Sequence, residues 1–148
     1  MQINDRESFI ESLNLLDNQK VFFSTLSYKQ KIKSDLDEEN IDILANGDFI
    51  LVTGIADSSY LVEFLKKKAF NFKHLKYLDH YNFNKPSLEK IRSLSRGKKI
   101  LTTEKDFGRL KPKISDRDIY YIEVSMHFDS EVNELNFDKV ISEYLNQD

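Results

Sequence analysis

The chain has 148 residues, 40% hydrophobic and 32% charged, the balance of a globular domain with one core and not of a disordered tail. Its 22 basic and 25 acidic residues leave a formal charge of -3, so overall charge offers no argument for a nucleic-acid partner. No cysteine is present, which excludes disulfide frameworks and thiolate metal sites; no bilayer-length apolar run or basic-then-apolar leader pattern is found, so the expected address is cytoplasmic, with peripheral attachment at a membrane surface left open.

Asp5 is placed to cap a helix in which Phe9, Ile10, Leu13 and Leu16 recur at helical spacing, and Asp17-Asn18 ends it. Val21, Phe22 and Phe23 are dense enough to predict a buried strand within residues 20–26. Residues 28–40 are rich in Lys, Asp and Glu with only Ile32 and Leu36 to bury, which predicts a connector or exposed ribbon. Residues 1–40 therefore read as a connecting helix, strand and polar linker, and residues 41–148 as an α/β domain.

After Gly47 a regular alternation begins. Phe49 to Thr53 is an apolar strand, Gly54 frees the backbone to turn, and Asp57 can cap a helix burying Tyr60, Leu61, Phe64 and Leu65. Phe72 to Leu78 reads as a strand, Asp79 to Phe83 as a loop, and Pro86 opens a helix carrying Leu88, Ile91 and Leu94 that stops at Gly97. Ile100 and Leu101 form a short central strand ended by Thr102 and Thr103. Glu104 to Leu110 follows as a helical turn closed by Pro112, with Thr103 and Asp106 in a near capping box. Ile119 to Val124 is a further strand, and Phe137, Val140, Ile141, Tyr144 and Leu145 lie on one face of a final helix. Strands separated by helices of this length imply a mostly parallel sheet with helices on both faces.

Working groups of open parallel sheets gather beyond the carboxyl ends of the strands. Asp79 and His80 fall there, an adjacent carboxylate and imidazole suited to proton handling. Pattern alone favours a plainer reading, a loop-capping Asp beside a surface His. Thr102, Thr103, Glu104, Lys105 and Asp106 combine hydroxyls, a cation and carboxylates within one turn, which suits phosphate or a hydrated Mg²⁺, and equally suits a simple helix cap. His74 and His127 lack partners at metal-ligand spacing and read as structural; the former falls within a strand, the latter in a late loop. The basic and aromatic run from Phe64 to Lys76 reads as a solvated helix end more readily than as a membrane-pressing face. No Gly-x-x-x-x-Gly-Lys-[Ser/Thr] occurs, so the 148 residues hold no P-loop of their own.

Four short motifs, taken together, resemble the C-terminal half of tetraacyldisaccharide 4'-kinase, the lipid A pathway enzyme. They are Gly54-Ile-Ala with Phe64, Asp79-His80 with Phe83, Leu101 to Asp106 with Leu110, and Tyr120 to Val124. Residues 5–28, including Val21 to Ser24 and Tyr28, resemble the stretch joining that family's two halves. The resemblance implies the C-terminal lobe of a P-loop-type kinase whose N-terminal half supplies the Walker A lysine, the metal-binding carboxylates and a catalytic aspartate. ATP and Mg²⁺ would be held mainly by that half. His80 would orient or tune the catalytic aspartate, Asp79 would support the loop, and Thr102 to Asp106 would lie at the interdomain cleft on the cofactor side. Ser58-Ser59 and Tyr81 depart from the family pattern, where a proline and a second histidine are frequent.

The implied reaction is phosphoryl transfer from ATP to the 4'-hydroxyl of a tetraacyldisaccharide 1-phosphate, with positioning and electrostatics as the main contributors. The implied partners are the P-loop half of the same enzyme, the acylated disaccharide lipid and the inner-membrane surface. This chain alone is then expected to be inactive, as a fragment, split product or isolated domain. The alternative is a non-catalytic α/β binding module contacting a protein partner or an anionic membrane. A stand-alone hydrolase using Asp79 and His80 lacks a nucleophile or metal set.

Overall fold

The computed structural model describes residues 3–128 and 137–146. Its elements are α1 (Ile3–Ser12), β1 (Ser24–Lys33), β2 (Glu38–Asn40), β3 (Phe49–Thr53), α2 (Ser59–Lys67), β4 (Phe72–Lys76), α3 (Lys85–Leu94), β5 (Ile100–Thr103), α4 (Glu104–Leu110), β6 (Ile119–Phe128) and α5 (Phe137–Leu145). Short 3-10 helices cover Ile41–Asn46 and Lys111–Lys113. The strands form one six-stranded sheet in the order β2-β1-β6-β5-β3-β4.

β3 pairs in parallel with both β4 and β5, and β5 with β6, while β1 and β2 make an antiparallel ribbon. Parallel neighbours need a crossover, and each one here carries a helix: α2 from β3 to β4, α3 from β4 to β5, α4 from β5 to β6. The mostly parallel α/β sheet anticipated from the alternation is thus present.

Successive residues of a strand point to opposite faces. Phe49 and Leu51 of β3 accordingly join Leu61 and Leu65 of α2, Leu101 and Ile122 in one cluster. Ile50 and Val52 join Ile91 of α3, Leu110 of α4, Ile100 and Ile119 in another. With a helix layer on each face all five β3 residues are buried, which is why its sequence is an unbroken apolar run. Each such side chain contributes about 1.5–3 kcal/mol on leaving water.

Local chemistry sets the helix ends. Asn84 Oδ1 accepts the Ser87 N–H at 3.1 Å and the Ser87 hydroxyl donates to Asn84 O at 2.7 Å, so α3 starts at a closed cap next to Pro86. Asp57 Oδ1 accepts the Ser59 N–H at 2.8 Å, although the residue flanking α2 is Ser58. Gly97 closes the turn after α3 at φ 70°, a conformation that costs glycine nothing.

The contacts divide the chain into two compact units, Tyr28–Ser125 and a second made of Met1–Ser27 with Met126–Asp148. The first holds every fully buried apolar side chain among the described residues. Within the second, aromatic pairs dominate: Phe9 meets Phe23 at 6.2 Å, Phe22 meets Phe137 edge-on at 5.1 Å, and Phe128 stacks on Phe137 at 4.0 Å between ring centroids.

Several expectations are corrected. Val21, Phe22 and Phe23 are half-buried but form no strand; pairing begins at Ser24, and both phenylalanine rings are engaged by other rings instead of a ladder. The segment anticipated as connector or ribbon is the β1–β2 ribbon, where Ile32 is buried as expected but Leu36, in the loop between the strands, is 88% exposed. Asp5 lies inside the first turn of α1, and the helix ends before Leu13 and Leu16, both of which are exposed. Tyr60 and Leu78 are also exposed, because one falls on the outer face of α2 and the other follows the end of β4. β6 continues four residues past Val124, so His127 belongs to a strand, where its Nε2 lies 2.9 Å from Ser27 Oγ.

Candidate functional site

Because β3, β4 and β5 run parallel, their carboxyl ends arrive at one edge, bringing Gly54, Asp79-His80 and Thr103 together from sequence positions up to fifty residues apart. Gly54 is the hub. Its N–H donates to Asp106 Oδ2 at 2.7 Å, and its carbonyl accepts the His80 N–H at 3.1 Å. A Cβ at position 54 would lie 3.1 Å from Asp106 Oδ1 and 3.4 Å from Leu78 O, so the close approach depends on glycine.

Asp106 is wholly buried. Beyond Gly54, its Oδ2 accepts the Thr103 hydroxyl at 2.9 Å, while the Asp106 N–H donates to Thr103 Oγ1 at 3.2 Å. Thr103 therefore caps α4 as its spacing implies. The second half of a capping box, in which the acid reaches back to the Thr103 N–H, is replaced by the bond across to Gly54.

His80 sits at φ 56°, in the left-handed region that few residues other than glycine adopt without local compensation. The compensation is visible: its N–H is shared between Gly54 O and Asp79 Oδ1, the latter at 2.9 Å. The ring is 65% exposed and lies between two cations of α4, with Lys105 Nζ 2.9 Å from Nε2 and Arg109 Nη2 2.9 Å from Nδ1. Lys105 also stands 3.5 Å from Asp79 Oδ1. Partial desolvation opposes the charge on Asp79, but His80, Lys105 and the His80 N–H outweigh it and hold the carboxyl below its usual range.

A groove of about 400 Å³ opens beside this cluster, lined by His80, Tyr81, Asn82, Arg109, Pro112 and Lys113 among others. Lys113 braces one wall, donating to Phe83 O at 2.9 Å and Asn82 Oδ1 at 3.0 Å. Tyr81 is fixed by Tyr77 and Phe83, with ring centroids at 4.7 and 5.4 Å.

Of the residues singled out from sequence, Asp79, His80, Thr103, Glu104 and Lys105 are accessible at this corner. Thr102 and Asp106 face inward instead: the Thr102 hydroxyl donates to Val52 O at 2.7 Å, and neither side chain has a surface for direct ligand contact. Their part is to tie β5 to β3 and α4 to Gly54. Sequence reasoning missed Arg109 and Lys113. Arg109 follows Lys105 by four positions and Asp106 by three, the helical spacing that puts them on one face, and that was the available signal. His74 stands apart, its Nε2 2.8 Å from Thr53 Oγ1. Among the described residues no three His, Asp or Glu side chains gather closely enough to hold a metal ion, and no helix is long and apolar enough to cross a membrane.

The chain matches the model of the tetraacyldisaccharide-1-P 4'-kinase family over residues 2–142. It is 30% identical over 135 residues to a tetraacyldisaccharide 4'-kinase of Flavobacterium johnsoniae, covering 91% of this chain and 38% of the relative. It is 32% identical over 137 residues to that of Flavobacterium psychrophilum, covering 91% and 39%. The solved structure of LpxK from Aquifex aeolicus in complex with ATP superposes with a TM-score of 0.58 at 20% identity, over 92% of this chain and 40% of that one, a likeness of fold. The chain thus spans about two fifths of the length of the curated relatives it matches.

Proposed function

This chain belongs to the tetraacyldisaccharide-1-P 4'-kinase family, and on that footing we propose that it acts as the C-terminal lobe of such a kinase, moving the ATP γ-phosphate to the 4'-hydroxyl of a tetraacyldisaccharide 1-phosphate. The observation that carries the reading is the convergence of Asp79, His80, Lys105 and Arg109 beyond the carboxyl ends of β3, β4 and β5. Two cations and an imidazole beside an open groove suit a reaction in which charge spreads over phosphoryl oxygens.

The residues present fit part of what that reaction needs. Lys105 and Arg109 suit phosphate oxygens, with Thr103 and Glu104 at the rim of the same turn. The carboxylates at this corner are Asp79, paired with Lys105, the buried Asp106 and Glu104 at the rim, and they do not gather into a set of three that could hold a metal ion, so the donor set does not fit Mg²⁺, and no metal-dependent step is assigned to this chain. The P-loop and the metal-binding carboxylates would come from an N-terminal half. His80 would hold and polarise the base that takes the sugar hydroxyl's proton, while closure of the two halves would keep water from the nucleotide. The acylated substrate places the reaction at a membrane surface, reached from the cytoplasm.

The test is reconstitution with a P-loop-bearing N-terminal half and measurement of labelled phosphate transfer from ATP to the disaccharide lipid. Transfer is expected, and His80→Ala should lower kcat by about 10²–10⁴ while the fold persists. Unchanged activity in that variant would refute the role given to His80. Binding to anionic vesicles or to a protein partner with no nucleotide effect, even with the added half, would favour the non-catalytic module.

A further inference from the structure

His80 offers both ring nitrogens to side chains that can only donate, Arg109 Nη2 at Nδ1 and Lys105 Nζ at Nε2, each at 2.9 Å. A neutral imidazole has one N–H and one acceptor nitrogen, and neither a guanidinium nor an ammonium accepts. At most one of these contacts is therefore a hydrogen bond at any moment, and the choice between them sets the tautomer.

The surroundings decide the choice. Arg109 Nη1 lies 3.6 Å from Asp106 Oδ1, and both are buried atoms with no hydrogen-bond partner. Asp106 is itself held by the Gly54 N–H and the Thr103 hydroxyl, and the same Gly54 holds the His80 backbone through its carbonyl. Arg109 is thus aimed at Nδ1 by a chain of fixed groups. Lys105 is 45% exposed on a flexible stem and has Asp79 Oδ1 at 3.5 Å as an alternative. A proton on Nε2 also faces a carboxylate, Asp79 Oδ2 at 3.6 Å, whereas a proton on Nδ1 would face the guanidinium.

We propose that Arg109, aimed by the buried Asp106, is a positioning residue that fixes His80 as the Nε2–H tautomer, leaving that N–H beside Asp79 as the ring's donor while Lys105 moves aside. For its effect on turnover the proposal rests on the reading of His80 as the working imidazole of a kinase; for the tautomer itself it does not.

The protein has three histidines, so long-range ¹H–¹⁵N spectra of their rings are readable, with the His80 signals identified by their loss in His80→Gln. The wild type is expected to show a protonated Nε2 and an acceptor Nδ1, unchanged in Lys105→Met. In Arg109→Met, Lys105 is the remaining donor and the proton should move to Nδ1. A wild-type ring protonated at Nδ1, or an Nε2–H ring that persists in Arg109→Met, overturns the proposal. Should Arg109→Met not fold, the wild-type and Lys105→Met spectra decide alone. With the N-terminal half added, Arg109→Met should lower kcat about tenfold to a hundredfold at nearly constant KM; a raised KM at constant kcat would make Arg109 a ligand contact instead. Absence of transfer by the wild type would sink the kinase reading and leave the tautomer result standing.

Discussion

At their amino ends, β3, β4 and β5 are finished by polar groups in the open. Asp48, just before β3, pairs with Lys98 at 3.4 Å and accepts from Asn71 ahead of β4, with much of each charged side chain in water. At their carboxyl ends the same three strands converge on Asp106, a fully buried carboxylate joined to Gly54, Thr103 and Arg109. The contrast is one of dielectric. An exposed pair contributes about 0–1 kcal/mol, whereas removing one partner from a buried charged cluster costs about 3–5 kcal/mol. One end of the sheet should tolerate exchange of its polar groups, and the other holds its groups in one geometry.

The largest expected effect lies at the constrained end. Asp106→Ala strips the acceptor from the Gly54 N–H and the Thr103 hydroxyl and leaves Arg109 without its buried counter-charge; urea denaturation should show a loss of about 3–5 kcal/mol. Asp106→Asn, which keeps an acceptor but no charge, should fall between that variant and the wild type. A loss below about 1 kcal/mol for Asp106→Ala would erase the distinction between the ends.

Between the ends, inside the sheet, His74 gives a smaller effect with a definite sign. Burial, aided by Lys76, pushes its imidazole below the ordinary value of 6.5. The unfolded chain then binds a proton that the folded chain resists, so stability is full above pH 6.5 and falls as pH drops below it. Melting temperature followed from pH 7.5 downward should decline through that window in the wild type and less steeply in His74→Gln. Equal slopes would show that the ring is not shielded.

The smallest effect belongs to the open end. Lys98→Met, which breaks the pair with Asp48, should change stability by less than about 1 kcal/mol, and 1 M salt should reduce even that. A larger loss would mean that the amino ends are as constrained as the carboxyl ends.

Much of this corner was legible in the chain. The apolar run Phe49 to Thr53 has to be a strand covered on both faces, and Thr103 with Asp106 had to begin a helix. Parallel topology, implied by the alternation, then required Asp79, His80 and Thr103 to meet at one edge. Legibility failed where burial depends on which way an element turns. Tyr60 and Leu36 are apolar by composition but exposed by orientation, and Phe22 and Phe23 are held by rings from distant positions instead of by a ladder. The apolar stripe of α5 was visible, yet Ile141, Tyr144 and Leu145 are exposed among the described residues.

Local pattern alone was enough to establish the α/β class, the central strands and the turn from Thr102 to Asp106, because spacing and capping act over a few residues. Only the folded arrangement turned Asp106 inward onto Gly54, set His80 at a positive φ and brought Arg109 to its ring. Those features depend on separations of 52 and 29 residues closed by strand pairing, and no short-range rule carries information about which side chain waits at the other end.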